Sequence, residues 1–129
     1  MRFMNTRMHG MADYLVGIIL ILAPYLLGFA DGTAAQYVPQ ILGVGALVYS
    51  LLTDYELGAM RVIPMPVHLG LDFASGLLLL ASPWLFGFAD RIAWPHVLFG
   101  LLEIGASLTT QTRARDAHAA HGTTTTRTM

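Results

Sequence analysis

Four runs of apolar residues follow one another along the chain, with polar residues concentrated between them. The runs cover about 9–30, 37–53, 67–89 and 95–110. Stretches such as 18–22 and 77–80 are continuously apolar, whereas the strands of a membrane barrel alternate apolar and polar residues. Because a helix rises about 1.5 Å per residue, about 20 residues cross the hydrocarbon core of a bilayer. The pattern therefore predicts four membrane-spanning helices, of which the second and fourth are short and cross with little tilt.

Two alternatives to this prediction follow from the same pattern. A soluble four-helix bundle would need polar outer faces, which these runs lack. The first run is followed by the small residues 32–35, and in this respect it resembles a cleaved signal peptide. We expect it to be retained, because a similar run recurs inside the chain, where no targeting peptide is removed.

The chain repeats itself at an offset of 59 residues, and ten of the 23 positions from 9 to 31 are identical in 68–90. Farther along, the offset is 57. Each repeat contains two runs, so we predict two tandem helical hairpins in the same orientation, related by a pseudo-twofold axis along the membrane normal. The identical pairs include His9 and His68, Asp13 and Asp72, Gly17 and Gly76, Gly43 and Gly100, Ser50 and Ser107, and Thr53 and Thr110.

The positions of the arginines predict the orientation of the chain. Arg91 lies in a predicted outer loop, and the other six lie near the termini or in the central loop, so both termini should face the cytoplasm. The predicted segments are a cytoplasmic N-terminus (1–8), a first helix pair (9–54), a cytoplasmic linker (55–66), a second helix pair (67–112) and a disordered cytoplasmic tail (113–129).

Composition agrees with a lipid environment and excludes several classes of function. Apolar residues make up 55% of the chain, charged residues only 12%, and the mean hydropathy is +0.59. The absence of cysteine excludes disulfides, thiolate zinc sites, iron–sulfur clusters and thiol catalysis. A net charge of −1 without any lysine gives no electrostatic basis for binding nucleic acid. We find no nucleotide-binding motif and no serine nucleophile motif.

Residues 81–88, Ala-Ser-Pro-Trp-Leu-Phe-Gly-Phe, resemble the signature of the SPW-repeat family, small bacterial integral membrane proteins built from paired helices. The first repeat departs from it at 23–29, with Ala in place of Ser and Tyr in place of Trp. The resemblance covers nearly all of 9–110 and implies a multi-pass protein of the bacterial cytoplasmic (inner) membrane, without implying an activity. The motif residues are Ser82, Pro83, Trp84 and Gly87 in the second repeat and Pro24, Tyr25 and Gly28 in the first.

The motif also has a physical logic. Pro83 has no N–H group, so the carbonyl of Leu79 loses its helical partner and the helix should kink there. We expect the Ser82 hydroxyl to donate to a nearby carbonyl. Trp84 and Tyr25 then lie toward the outer end, where such rings prefer the headgroup level. The interpretation is a shaped helix end with an interfacial anchor, with a functional hinge as the alternative.

Two His-x-x-x-Asp pairs are the first candidates for chemistry. Within each pair, His9 with Asp13 and His68 with Asp72, the residues are four apart and share one helix face. The repeat symmetry could bring all four groups together near the cytoplasmic surface, where they would bind a divalent metal, or the histidines would share a haem. The simpler interpretation is a carboxylate at a helix start with a histidine as its hydrogen-bonded neighbour.

Glu103 is the second candidate, because it lies near the predicted bilayer centre, where a carboxylate must be neutralised or partnered. His96, Gly100, Glu103, Ser107 and Thr110 recur at helical spacing and form one stripe, while Ser75 and Ser82 accompany His68 and Asp72 on the third helix. Polar and small residues at these positions indicate close helix packing. The alternative is a proton or small-solute path from His96 through Glu103 to Asp72 or Asp13.

The sequence therefore predicts an all-α integral membrane four-helix bundle made of two tandem helical-hairpin repeats. Its predicted role is a non-enzymatic structural or accessory membrane module without a cofactor, in contact with the lipid bilayer and forming a homo-oligomer or joining a larger membrane complex. The alternatives are a proton or small-solute conduit centred on Glu103 and a haem- or metal-binding redox protein using His9 and His68.

Overall fold

Four α-helices make up the regular structure of residues 2–112, the part of the chain that the computed structural model describes. Within that part no strand forms, and the all-α prediction is confirmed there. The predicted tail, 113–129, lies outside the described residues. The helices are α1 (Thr6–Leu26), α2 (Ala34–Leu51), α3 (Met65–Leu85) and α4 (Trp94–Thr109), each within a few residues of a predicted apolar run.

The beginnings of the helices follow from local sequence. Asn5 precedes α1 and accepts a hydrogen bond from the backbone N–H of Met8 at 2.8 Å, which satisfies one of the free donors of the first turn. Thr33 caps α2 in the same way through the N–H of Ala35. Proline occupies the first turn of α3, where its missing N–H costs nothing.

The end of α3 is a left-handed turn that the motif sequence encodes. Gly87 has a φ of +76°, a conformation that costs other residues about 1–2 kcal/mol. The turn lets the N–H of Phe88 donate to the carbonyl of Pro83 at 2.8 Å, and the Phe88 side chain is buried. Pro24, Gly28 and Phe29 repeat this geometry at the end of α1.

Ser82 compensates for the hydrogen bond that Pro83 removes. Its hydroxyl donates to the carbonyl of Leu79 at 2.7 Å, and that carbonyl is the one left without a helical N–H by the proline. The adjacent serine and proline therefore let α3 continue to Leu85 without an unsatisfied buried carbonyl. In α1 the corresponding residue is Ala23, which has no hydroxyl.

We expect Ser82→Ala to lower the free energy of unfolding by about 1–2 kcal/mol, because a buried carbonyl loses its donor. Ser107→Ala is the matched control. Ser107 donates to the carbonyl of Ile104 at 2.7 Å, but that carbonyl keeps its helical donor, so the loss should be smaller. Equal losses in detergent unfolding of the two variants would contradict this account of the motif.

The helices pack as two pairs, α1 along α2 and α3 along α4, with a smaller contact between α2 and α3. Glycines allow the close approach within each pair. A Cβ atom on Gly43 would lie 2.7 Å from the carbonyl oxygen of Gly17, and one on Gly100 would lie 2.8 Å from that of Gly76. The pairs are held at backbone-to-backbone contact distance, which larger residues would prevent.

The two helix pairs are joined at one end by matching backbone bridges. Thr53, after α2, pairs with Ile63 in the segment leading into α3. Thr110, after α4, pairs in the same parallel way with Met4 in the segment leading into α1. The two bridges lie at positions related by the sequence offsets of 59 and 57, so the segment after α4 meets the segment before α1 in the same way as the segment after α2 meets the segment before α3.

Large apolar side chains are exposed along the outside of all four helices, as Leu15, Ile41, Leu77 and Leu101 illustrate. By length and composition, α1 and α3 are long and apolar enough to cross a membrane. The helices α2 and α4, with 18 and 16 residues, are shorter, and their crossing stays a prediction.

Candidate functional site

The two His-x-x-x-Asp pairs meet at the end of the bundle that carries the backbone bridges. His9 Nε2 lies 2.6 Å from Asp72 Oδ2 and 3.0 Å from Asp13 Oδ1. His68 Nε2 lies 2.8 Å from Asp13 Oδ2 and 3.2 Å from Asp72 Oδ2. We call these four residues the His/Asp centre. Each histidine therefore contacts the carboxylate of its own helix and that of the other helix pair.

A threonine from the other helix pair orients each histidine. His9 Nδ1 lies 2.7 Å from the hydroxyl of Thr110, and His68 Nδ1 lies 2.6 Å from the hydroxyl of Thr53. Each threonine hydroxyl also donates, at 2.6 Å, to a backbone carbonyl four residues earlier. A hydroxyl has one hydrogen and a carbonyl can only accept, so toward the histidines the threonines must accept. Both Nδ1 atoms consequently carry hydrogen.

This assignment fixes what the Nε2 atoms can do. With hydrogen on Nδ1, each Nε2 either carries a second hydrogen, as in an imidazolium, or presents a lone pair to the carboxylates. Bare lone pairs 2.6–3.2 Å from carboxylate oxygens repel them. The His/Asp centre therefore needs positive charge between the Nε2 atoms and the carboxylates, supplied either by protons or by a metal cation.

Two tyrosines donate to the carboxylates. The Tyr49 hydroxyl lies 2.5 Å from Asp72 Oδ1, and that of Tyr55 lies 3.2 Å from Asp13 Oδ2. Burial, followed by the charge of Asp13, raises the pKa of Tyr55, which keeps its hydroxyl protonated and able to donate. Each tyrosine thereby donates to a carboxylate oxygen and orients that carboxylate within the centre.

Burial makes the charge balance of the centre important. The side chains of His9 and His68 are at most 1% exposed, and those of the two aspartates at most 10%. Two imidazolium ions and two carboxylates sum to zero charge. Two neutral histidines, two carboxylates and one divalent cation also sum to zero. The same buried residues can therefore hold two protons or one divalent metal ion without a net charge.

The donor set fits a small metal ion better than a haem. Imidazole nitrogen with carboxylate oxygen suits Zn²⁺, Mn²⁺ or Fe²⁺. The Nδ1–H of each histidine is bonded to a neighbouring group, as is usual for histidines that ligate metals. The two imidazole rings lie 5.4 Å apart edge to face, and each carboxylate contacts both Nε2 atoms, so the nitrogens that would ligate a haem iron are already engaged.

A cavity of about 450 Å³ opens beside the His/Asp centre, where α1 and α4 face each other without close packing. Glu103 lies on its wall, and among the described residues no hydrogen-bonding group reaches the buried Glu103 Oε2. The rest of the wall is mostly apolar. The lining residues that carry the argument below are Ala12, Asp13, Ala46, Leu102, Glu103 and Ala106.

The cavity lies where the two repeats differ in sequence. Tyr49 of α2 reaches Asp72, but the position 57 residues later is Ala106, which leaves the corresponding space next to Asp13 open. The repeats also differ at Ala46 of α2, whose counterpart in α4 is the larger Glu103 on the cavity wall. The difference between Tyr49 and Ala106 thus explains why the space between α2 and α3 is filled and the space between α1 and α4 is open.

His96 lies apart from this site, at the opposite end of the bundle. Its Nε2 donates to the carbonyl of Ala35 at 2.8 Å, and its ring packs against Phe29 and Phe88 at centroid distances of 5.3 and 4.7 Å. Seven residues, about 10 Å along α4, separate His96 from Glu103. The structure therefore brings Glu103 to the His/Asp centre and does not bring His96 to Glu103.

The remaining candidate residues have local roles in the structure. The Ser107 hydroxyl donates within α4, and Ser75 is partly buried on α3. Trp84 and Tyr25 are both 63% exposed near the ends of α3 and α1, and their position at a membrane interface stays a prediction.

One ion pair links the loops at the His96 end. Arg91 Nη1 lies 2.6 Å from Asp31 Oδ2. Hydrogen bonds from Thr33, and then the charge of Arg91, hold the pKa of Asp31 below its usual value. Both side chains are exposed, so the pair positions the loops without contributing much stability.

Comparison with known families gives one match. The family model described as SPW repeat domain matches residues 7–110, a range that contains the His/Asp centre, both threonines and both copies of the motif. No curated protein and no solved structure matches the chain.

Proposed function

The chain belongs to the SPW repeat family, and on that premise we propose that it is a multi-pass integral membrane protein whose His/Asp centre binds one divalent metal ion. The metal would join α1 to α3 and so hold the two helix pairs together. The proposed role is that of a structural or accessory membrane module, with the metal as the clamp between its halves.

The membrane part of the proposal rests on the outer surface. In the most apolar 18-residue stretches of α1 and α3, only 33% and 39% of the residues are buried, and large apolar side chains are exposed on every helix. Exposing such a large apolar surface to water would be unfavourable and would cause aggregation. We propose that all four helices cross a bacterial inner membrane as two tandem hairpins, 9–54 and 67–112, with 1–8, 55–66 and 113–129 in the cytoplasm.

The metal part rests on one observation, the convergence of two threonine-oriented imidazoles and two carboxylates in a buried site. One ligand atom from each of the four side chains can be chosen so that all lie within 4.8 Å of one another. Zinc–ligand distances of about 2.0–2.2 Å place tetrahedral ligands about 3.3–3.6 Å apart. The nitrogen–oxygen distances of 2.6–3.2 Å are shorter than this, and the ligand atoms extend over at most 4.8 Å, so a metal ion replacing the shared protons would need side-chain shifts of about 1 Å.

Metal analysis of the purified protein tests the proposal. The full chain is extracted in mild detergent from membranes washed at alkaline pH, stripped with a chelator and titrated with Zn²⁺. We expect one Zn²⁺ per chain and the release of about two protons as the imidazolium hydrogens are displaced. His68→Ala should weaken binding at least 100-fold, whereas His96→Ala should leave it unchanged.

Two results would contradict the proposal separately. Recovery of the chain in the alkaline wash would reject the membrane part. Folded protein that takes up no stoichiometric Zn²⁺, or Mn²⁺ in a parallel titration, would reject the metal part. A proton path through His96 is not included, because that residue is bonded to Ala35 outside the cavity.

A further inference from the structure

We infer that the cavity between α1 and α4 binds an uncharged, lipid-soluble molecule with a hydroxyl group, whose hydroxyl pairs with Glu103. The inference is independent of metal binding. It rests on the volume of the cavity, on its apolar wall and on the buried oxygen of Glu103.

The size and wall of the cavity fit a small amphiphile. Its volume of about 450 Å³ lies within the range of about 300–1,000 Å³ that is usual for small-molecule sites. Its sides are formed by apolar residues of α1 and α4, among them Val16, Leu101 and Leu102, and the last two are about half exposed at the outer surface of α4. A lipid-soluble molecule would therefore meet a continuous apolar surface as it entered from the bilayer.

The polar residues of the cavity wall determine which polar group of a ligand can bind there. Asp13, Asp72 and Glu103 all line the cavity, and no arginine of the described residues does, so the wall offers no guanidinium group to a phosphate headgroup. Glu103 Oε2 is buried, and no other group of the described residues bonds to it. A hydroxyl group can donate to a carboxylate and accept from a carboxylic acid, so it matches Glu103 in either protonation state. Because this oxygen is buried, the Glu103 carboxyl would first rotate to turn it toward the cavity, where a donor would satisfy it.

Binding of 4-octylphenol, with its methyl ether 4-octylanisole as the matched probe, tests this inference. The full chain is placed in phosphatidylcholine nanodiscs, and saturable binding of each radiolabelled probe is measured against empty nanodiscs. We expect about one phenol per chain and at least tenfold weaker binding of the methyl ether, which has the same apolar body but cannot donate. Glu103→Leu should abolish this discrimination.

Filling the cavity should abolish saturable binding of the phenol. Ala106→Phe and Leu102→Trp place aromatic rings inside the cavity and at its mouth, whereas Val48→Phe introduces an aromatic ring on the exposed face of α2 as a control. Leu102 is about half exposed, so this variant should fold even if Ala106→Phe does not. Circular dichroism and the detergent unfolding midpoint show which variants are folded.

Three outcomes would overturn the inference. They are equal binding of phenol and methyl ether, undiminished binding in a folded Ala106→Phe or Leu102→Trp variant, and preferential binding of an alkylammonium probe. Zinc titration of the same samples distinguishes this failure from failure of the proposed function, because either result can occur without the other.

Discussion

Replacing Asp72 by asparagine should lower the free energy of unfolding of the metal-free protein by about 3–5 kcal/mol, the usual effect of leaving a buried charge without its partner. Asp72 Oδ2 contacts both histidines, and Oδ1 accepts from Tyr49. With the carboxylate neutralised, two imidazolium groups would face Asp13 alone. The asparagine amide would also present hydrogen toward groups that themselves donate.

Unfolding in dodecylmaltoside with increasing sodium dodecyl sulfate, followed by circular dichroism in the presence of a chelator, measures this loss. Asp54→Asn is the control, because Asp54 is exposed and its replacement should change stability by less than about 0.5 kcal/mol. The double variant Asp72→Asn with His9→Gln removes one charge of each sign, so its loss should be smaller than the sum of the two single losses. Additive losses would show that the charges of the centre are not coupled.

The sequence predicts the helices well because their main determinant is local. Continuous apolar runs bounded by Gly, Pro and capping residues locate α1 to α4 within a few residues, and the motif glycine at 87 marks the end of α3. Membrane crossing by α2 and α4 is not determined in the same way. Those helices contain 18 and 16 residues, and their length alone does not distinguish a short span from a buried helix.

The site was only partly predictable for a different reason. Helical spacing places His9 beside Asp13 and His68 beside Asp72, and the repeat suggests that the pairs meet. Their threonine partners come from the other helix pair, 101 residues away for His9 and 15 for His68, and only the tertiary packing establishes these contacts. The sequence did contain a signal for these contacts, because Thr53 and Thr110 are related by the repeat offset of 57 residues.

The cavity could not be foreseen from the spacing of polar residues. The stripe on α4 aligns Glu103 with His96, but residues aligned on one helix can face different neighbours along its length. Near the start of α4 His96 meets Phe29 and Ala35, whereas farther along the helix Glu103 lines the cavity. The cavity exists because the second repeat has Ala106 where the first repeat has Tyr49. Whether an alanine at this position leaves a cavity depends on how closely α1 approaches α4.

Gly100→Ala should lower the free energy of unfolding by about 2–3 kcal/mol, because the added Cβ would meet backbone atoms that cannot rotate away. It would lie 2.7 Å from the backbone nitrogen of Leu80 and 2.8 Å from the carbonyl oxygen of Gly76, both well inside normal contact distance. Gly43→Ala should act in the same way on the first helix pair, against Gly17. The helices of each pair would have to move apart, and the contacts along the pair would weaken together.

The matched controls are glycines of the same helices that face open space. No neighbouring atom lies within 4 Å of a Cβ built on Gly45 of α2 or Gly105 of α4. Alanine there should be neutral or stabilising by up to about 1 kcal/mol, because alanine favours helix over glycine. The comparison separates helix propensity from packing, since both members of each pair gain the same methyl group. If Gly100→Ala and Gly105→Ala gave the same unfolding midpoint in mixed micelles, the two helices could not be in backbone contact at Gly76, and the arrangement that brings Glu103 beside the His/Asp centre would be wrong.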